Sequence, residues 1–574
     1  MRRTAGPLLW RALLAALLVA LVGLLPWLAR TDPARTVLRA RAGDRDPTPE
    51  ALAAVRAELG LDRGPLRLLG DWLAGLPRGD AGRSWISGAE VAPTVLQALG
   101  VSLLLTAVAL AVAALTAALV CARTLRTGGR GRPGGSGSAV LAALPEFLTA
   151  SVLATVVGVH LGWLPALGWY GPQYTLLPGL ALGLSAGAVL GRLLDDLLPG
   201  AFAEPWARAA AARGIPARRV ARQAVRRTLP ALLPNAGLFV VGMTGGAVAV
   251  EQIFDIPGLG RTTLRAALAQ DLPVLQAGTL ALVLLAACAT GAAHLLARLL
   301  IGPALADGAL PTLHRRTPAP RTVLPWALTA VLLTVIAAGL PRDPLALDTG
   351  QRLRPPSRSH PFGTDALGRD LLARVAHGAV DTLLLALALT AATLVAGVAL
   401  GLLPRLSGPI ADTVNAVPPV LGALLVTALA GRGPGTPALA VAAVAWAPLA
   451  THTSALLAQE RAALHLTATR ALGAGPWYLL RHELLPAIVP PVTRHALLRL
   501  PGIALTLASL AFLGLGAQPP HPEWGLLLAE NQPYAERAPW SVLAPATVLA
   551  LLGALAVSTA GGIGWPRGLR RGGW

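Results

Sequence analysis

Runs of about twenty apolar residues, almost free of charge, recur along the whole chain, and each is long enough to cross the ~30 Å hydrocarbon core of a bilayer as a helix. In the first half they lie at about 8–29, 94–121, 139–161, 175–198, 231–253 and 273–301. In the second they lie at about 323–340, 378–403, 410–430, 436–458, 496–516 and 541–564. Backbone N–H and C=O groups in lipid must bond within their own segment, so runs of this kind become helices. The fold expected is an all-α polytopic membrane protein with about 12 transmembrane helices, arranged as two parallel six-helix repeats. Composition agrees: 54% of the 574 residues are hydrophobic and 13% charged, against roughly 25% charged in soluble domains. The halves are 1–310 and 323–574, joined at 311–322 by Arg315, Arg316 and the Pro-rich residues 317–320.

A net charge of +20 would suggest nucleic acid in a soluble chain, but the apolar runs leave no room for a separate basic domain. Membrane lipid is the expected surroundings. All 48 basic residues are Arg, so the chain lacks the lysine with which a Walker A loop holds phosphates. If ATP drives it, another chain supplies the ATPase. Cys121 and Cys288 lie in or beside apolar runs, and neither a metal-ligand spacing nor a disulfide framework is present.

Short loops rich in Arg mark the cytoplasmic side. Loop 122–138 holds Arg123, Arg126, Arg130 and Arg132 with no acid, and segment 199–230 holds seven Arg against Glu204. On the opposite side, 30–93 is nearly balanced in charge, and 517–540 has Glu523, Glu530 and Glu536 against Arg537. Both termini and the joint are therefore expected in the cytoplasm, with Met1 to Ala29 an uncleaved first helix rather than a signal peptide.

Each half has one long cytoplasmic segment between its fourth and fifth runs, at about 203–230 and 459–486. The first reads Trp206-Ala-Arg-Ala-Ala-Ala-Ala-Arg-Gly214, the second Leu466-Thr-Ala-Thr-Arg-Ala-Leu-Gly473. Gly214 and Gly473 are 259 residues apart, and the marks Gly258-Leu-Gly260 and Gly514-Leu-Gly516 are 256 apart, which argues for duplication. Ala favours helix and Gly stands just past helix ends, so each segment is expected to be a short helix, a turn at Gly, and a second helix re-entering the membrane at Pro. Such an elbow can dock on a soluble partner and transmit its motion; taken singly it could equally be an interfacial helix bound to anionic lipid.

Further motifs complete the pattern. The first half contains Glu58-Leu-Gly-Leu-Asp-Arg63, Arg78-Gly-Asp-Ala-Gly-Arg-Ser84, Leu161-Gly-Trp-Leu-Pro165, and Gly245 to Glu251 followed by Pro257-Gly-Leu-Gly-Arg261. The second contains His360-Pro-Phe-Gly-Thr-Asp-Ala-Leu-Gly-Arg-Asp370, Ala471-Leu-Gly-Ala474, and Ser509 to Pro520 with Trp524-Gly525. In this order they resemble the B-type and C-type permease subunits of dipeptide, oligopeptide and nickel ABC importers, fused in one chain. The resemblance implies a type I importer fold, a prokaryotic inner-membrane location, an external substrate-binding protein, and separate cytoplasmic ATPase subunits carrying the ATP and Mg. It makes the elbows EAA-type coupling segments, with Arg208, Ala210, Gly214, Thr467, Ala468 and Gly473 as the ATPase-coupling positions. Two departures stand out: Arg208 and Thr467 occupy the usual acidic position, and the first segment is compressed before Leu229-Pro230. A specialised ATPase and weakened coupling both fit them. Peptides are the default solute, with nickel chelates or other small solutes as alternatives. The chain itself needs no catalytic residue, cofactor or metal.

Glu146, His160, Glu251, His294, Arg494 and Arg499 lie in or near apolar runs, where ionisable groups are costly and often functional. Arg494 and Arg499 sit close enough to a run's end to snorkel. Glu251 matches a Glu of the B-type pattern and is the gate or pathway candidate, beside a purely structural reading. Its C-type counterpart falls near Leu507, so any acidic gate is not symmetric. His360 to Asp370 is poor metal-ligand spacing and reads as an external cap, and 30–93 as an external scoop for the binding protein. A twelve-span secondary transporter explains the repeat but not the Arg-rich elbows. A membrane hydrolase would need a His-Glu-x-x-His or Gly-x-Ser-x-Gly motif, and neither is present.

Overall fold

The computed structural model describes residues 48–129, 144–301, 323–415, 419–430 and 435–560, with short pieces between 16 and 38 and at 141–142 and 433. Residues 8–15, 18 and 29 of the first expected run, the joint at 311–322 and residues 561–574 lie outside them.

Among the described residues the protein is helical, with two isolated antiparallel bridges, Arg83–Glu90 and Thr364–Asp370, and no strand. A short helix α1 (Leu25–Leu28) precedes α2 (Pro49–Glu58) and α3 (Pro65–Gly75). The long α4 (Val91–Arg126) follows, then α5 (Glu146–Leu153), which continues as a π-helical turn to His160, and α6 (Leu176–Ala203). The first elbow is α7 (Pro205–Ala212), leading into α8 (Ala217–Ile253), α9 (Leu259–Ala269) and α10 (Leu272–Ile301). The second half runs α11 (Val323–Gly339), α12 (Leu371–Gly401), α13 (Pro404–Asn415), α14 (Pro419–Ala430) and α15 (Thr436–Arg461). Its elbow is α16 (Leu464–Ala471), then α17 (Pro476–Tyr478), a π turn over Leu479–Leu484, α18 (Leu485–Phe512), α19 (Trp524–Asn531) and α20 (Pro539–Ala560).

Seven helices among the described residues are long and apolar enough to cross a membrane, and Glu146–His160 and Val323–Gly339 are shorter apolar helices. The described residues of the expected run 410–430 belong to α13 and α14. The run 231–253 is the last part of α8, which rises unbroken from the elbow. The second half does the same through α17 and α18, crossing Pro490, Pro491 and Pro501 without ending.

The chain forms two compact units. One comprises residues 1–101, 257–284 and 378–529, the other 102–256, 285–377 and 530–574, so each draws on both halves of the sequence. Within the first, α9 packs on α14 and α15 on α18; within the second, α6 packs on α8 and α5 on α20.

Lipid tails are as apolar as Leu, so packing inside such a protein depends on close backbone approach rather than on water release. In the second unit, α6 meets α4 through Gly179, Gly183, Gly187 and Gly191, one every fourth residue. A Cβ at any of them would lie 2.5–2.8 Å from an atom of α4. In the first unit, Gly397 and Gly401 of α12 meet Leu449 and Thr453 of α15 in the same way.

Candidate functional site

The two elbows start differently and close in the same way. Glu204 is extended at φ −65°, ψ 153°, and Pro205, whose fixed φ suits a first helical turn, starts α7. Four consecutive alanines follow before the helix closes in a Schellman motif. The Gly214 N–H donates to the Ala211 carbonyl and the Ile215 N–H to the Ala210 carbonyl, at 3.0 and 3.1 Å. In the second elbow the Gly473 N–H donates to Arg470 and the Ala474 N–H to Thr469, at 3.0 and 3.3 Å. Gly214 has φ +72° and Gly473 φ +95°, a region costly for residues with a Cβ. No atom would meet a Cβ at either position within 4 Å, so backbone conformation, not space, requires the glycine.

The inward faces share one register, counted from the glycine. The residues seven before it, Ala207 and Leu466, are buried, and those four before it, Ala210 and Thr469, are buried and half-buried. Of the expected coupling positions, Arg208, Gly214, Thr467, Ala468 and Gly473 are exposed, whereas Ala210 points inward. Behind the first elbow lie Cys121, Leu198, Ala201 and Ala224, with Trp206 packed against them. Leu449, Leu457, Leu479, Leu484 and Ile488 surround Leu466 behind the second.

Each elbow is braced at its base. Arg227 of α8 reaches Glu204 at 2.7 Å. In the second half His465 lies 3.8 Å from Glu460 and 4.0 Å from Glu483, pairs that carry charge when the imidazole is protonated. The outward surfaces differ. The first presents Arg208, Arg213, Arg218, Arg219, Arg222 and Arg226; the second presents Arg470 and Arg481 together with Leu464, Leu472, Trp477 and Tyr478, with Tyr478 stacked on His482 at 4.5 Å.

Glu251 is fully buried near the end of α8, and Ser102 Oγ of α4 donates to its Oε1 at 2.6 Å. His160 is exposed at the end of its π turn, Arg494 is exposed, Glu146 and Arg499 are half-buried, and the side chain of His294 lies outside the described residues.

Sequence reasoning missed a latch that each half builds where its longest early helix begins. Before α4, Ser84 Oγ and the Trp85 N–H both donate to Asp271, which follows α9. Before α12, Asp365 holds Arg369 at 2.7 Å and Arg374 at 2.8 Å, and Glu530, at the end of α19, lies 2.8 Å from Arg374. The motifs around Ser84 and Asp365 were visible in the sequence. The distant acids carried no signal: Asp271 is 187 residues from Ser84, and Glu530 is 161 from Arg369. Asp370 pairs with Arg342 at 2.6 Å and His360 at 3.4 Å, and among the described residues no three His, Cys, Asp or Glu converge as a metal site.

Comparison with known proteins identifies the family. A family model described as "Binding-protein-dependent transport system inner membrane component" matches twice, over residues 114–302 and 385–561. The Di/tripeptide transport system permease protein DppC of Pseudomonas aeruginosa (strain UCBPP-PA14) is 39% identical over 184 residues, covering 31% of this chain and 61% of that protein. A protein of Brucella abortus (strain 2308) named as a peptide transport system permease is 30% identical over 289 residues, 48% of this chain and 88% of its own length. The Glutathione transport system permease protein GsiD of Pectobacterium atrosepticum is 34% identical over 186 residues, 30% of this chain and 61% of its own. The chain thus spans about three fifths of the Pseudomonas relative's length, and each of the three aligns with less than half of this chain. With both matches together covering more than half of its residues, the chain belongs to the family of binding-protein-dependent transport system inner membrane components.

Proposed function

We propose that this chain is the permease of an ABC importer for di- or oligopeptides, with both permease subunits, 1–310 and 323–574, fused through 311–322. ATPases on other chains, carrying ATP and Mg, drive it, and an extracytoplasmic binding protein delivers the solute. The carrying observation is the pair of elbows: two short helices closed by the same turn at Gly214 and Gly473, each followed after two intervening residues by the helix that runs on into the membrane-spanning body. A push on either elbow therefore reaches α8 or α18 through one short, bonded turn. The names of the relatives support a peptide solute. The chain lies in the inner membrane of a prokaryote with both termini cytoplasmic, and segment 30–93 meets the binding protein. Arg208, Thr467, Ala468 and the two glycines contact the ATPases, Ala210 supports them from beneath, and Glu251 with Ser102 holds one end of the path shut.

The test is ATPase activity of the complex in lipid, with and without loaded binding protein, for the native chain and for Gly214→Glu combined with Gly473→Glu. Stimulation that the double substitution abolishes is the expected result. No association with any ATPase, together with uptake driven by an ion gradient, would overturn the reading.

A further inference from the structure

Helices α15 and α18 carry a cluster of cations and imidazoles whose role the elbows do not explain. His452 of α15 and His495 of α18 are in ring contact, with centroids 4.8 Å apart and planes tilted by 38°. Arg499 lies one turn further along α18 and, like both histidines, is half-buried; Arg494 beside it is exposed. No Asp or Glu occurs anywhere in α18. The one acid of α15, Glu460, is two turns past His452 and faces His465. Cationic groups in a membrane-spanning helix normally pair or line a polar route, and neither helix places an acid within a turn of His452, His495 or Arg499.

The surrounding surface is unlike one that meets lipid. Where α4 and α12 are exposed they show large apolar side chains, such as Leu115 at 63%, Leu119 at 68%, Leu384 at 61% and Val395 at 70%. Beside the histidines the exposed residues include Thr451, Ala455, Ala458 and Gly502, with Leu497 the one large apolar side chain exposed there; Leu456, Leu498 and Leu500, like Ser454, are half-buried. Thr451 also accepts a hydrogen bond from Asn415 at 3.2 Å. The backbone points the same way. Pro490, Pro491 and Pro501 of α18 and Pro448 of α15 each remove a helical donor, and carbonyls so freed are tolerated where water or protein can reach them, not against lipid tails.

We propose that His452, His495 and Arg499 form a binding site for an anionic group, the carboxylate of the transported solute, on a water-facing side of α15 and α18. Arg499 supplies fixed charge and a forked donor set, and the imidazoles add N–H donors that a carboxylate oxygen accepts. The choice of a solute carboxylate rests on the proposed function; the anion site itself does not.

The experiment reconstitutes the full chain in lipid nanodiscs with Cys288→Ser, leaving Cys121, which is buried. A reporter thiol is placed by Ala455→Cys, one turn from His452, and a reference thiol by Ala443→Cys on the same helix. Labelling rates are measured with the anionic sulfonatoethyl and the cationic trimethylammonium methanethiosulfonates, each normalised to a free thiol. The anionic-to-cationic ratio should be roughly 5- to 10-fold higher at the reporter than at the reference, because a cleft of one sign concentrates the opposite charge. Combining His495→Gln with Arg499→Gln should bring the ratios together, while Arg499→Lys retains most of the difference. No aqueous labelling at the reporter, or a ratio indifferent to these changes, overturns the proposal. So does a difference present in phosphatidylcholine discs but lost in phosphatidylglycerol discs, which would give the site to lipid phosphate. In the complete transporter, uptake of Ala-Glu should fall relative to Ala-Ala in the Gln variants, and equal loss of both counts against solute binding. If the native complex takes up neither peptide while the labelling contrast persists, the peptide reading fails and the anion site stands for another solute.

Discussion

Arg374→Met tests whether the buried charge cluster before α12 holds that end of the protein together. The side chains of Arg374, Asp365 and Arg369 are 0%, 2% and 6% exposed and that of Glu530 19%, so two cations and two anions share a site nearly closed to water. Removing Arg374 leaves both carboxylates to Arg369. Asp365 keeps Arg369 at 2.7 Å and the N–H groups of Leu367 and Arg369, each at 2.9 Å. Glu530 is left with Arg369 at 3.4 Å. Breaking one partner out of a buried ion pair costs about 3–5 kcal/mol, and because Asp365 keeps three donors the lower end, about 3 kcal/mol, is expected. For the second unit, which holds the cluster, an unfolding entropy of about 2.1 cal/mol/K per residue makes that a fall in Tm of about 5 °C. Cys121 is buried and Cys288 exposed, so a thiol-reactive dye on the Cys288→Ser background reads unfolding as Cys121 becomes accessible. Adding Glu530→Gln to Arg374→Met removes the stranded charge and should recover about half of the loss. A fall below about 2 °C, or no recovery in the double variant, would refute the view that uncompensated charge sets the cost.

Gly187→Leu should break the α4–α6 contact, because a Cβ there lies 2.5 Å from the Ala113 carbonyl oxygen; overpacking of this kind costs about 1–3 kcal/mol, and Gly291→Leu, which meets nothing within 4 Å, is the control. Gly214→Ala, at φ +72°, should strain the elbow by about 1 kcal/mol and lower stimulated ATPase activity while leaving the thermal midpoint within about 3 °C. Glu523, outside the spans, has its carboxyl pushed up to about 7, first by burial and secondarily by Asp381, against the N–H groups of Leu526 and Gly525. The folded state therefore binds a proton that the unfolded state has released, and this group's contribution is greatest at low pH and declines as pH rises from about 4.5 to about 7. Glu523→Gln should thus unfold at a higher temperature than the native chain at pH 8, by an amount worth about 3 kcal/mol. That difference should shrink towards pH 5, and a pH-independent one would contradict the assignment.

The spans and elbows were legible because the physics behind them is local. A twenty-residue apolar run becomes a helix from its own backbone and surroundings, and the turns at Gly214 and Gly473 close through bonds to residues three and five positions back. The matched spacing of those glycines, 259 residues apart, carried the duplication. The inward turn of Ala210, however, depends on how α7 lies against its neighbours, so sequence could group it with Arg208 as a coupling position but not give the direction of its side chain. The close approach of α6 to α4 along Gly179, Gly183, Gly187 and Gly191 likewise depends on tertiary packing.

What the sequence determined by itself, then, was the class of fold, the two repeats and the conformation of each elbow, since each follows from apolar periodicity or from bonds within a few residues. What tertiary structure decided was which distant groups meet: Asp271 with Ser84, Glu530 with Arg374, Glu251 with Ser102, and His452 with His495. Those meetings depend on helix rotation and depth, which side-chain packing sets collectively. In an apolar chain the many possible pairings of helices have similar burial, so only the assembled contacts single out one.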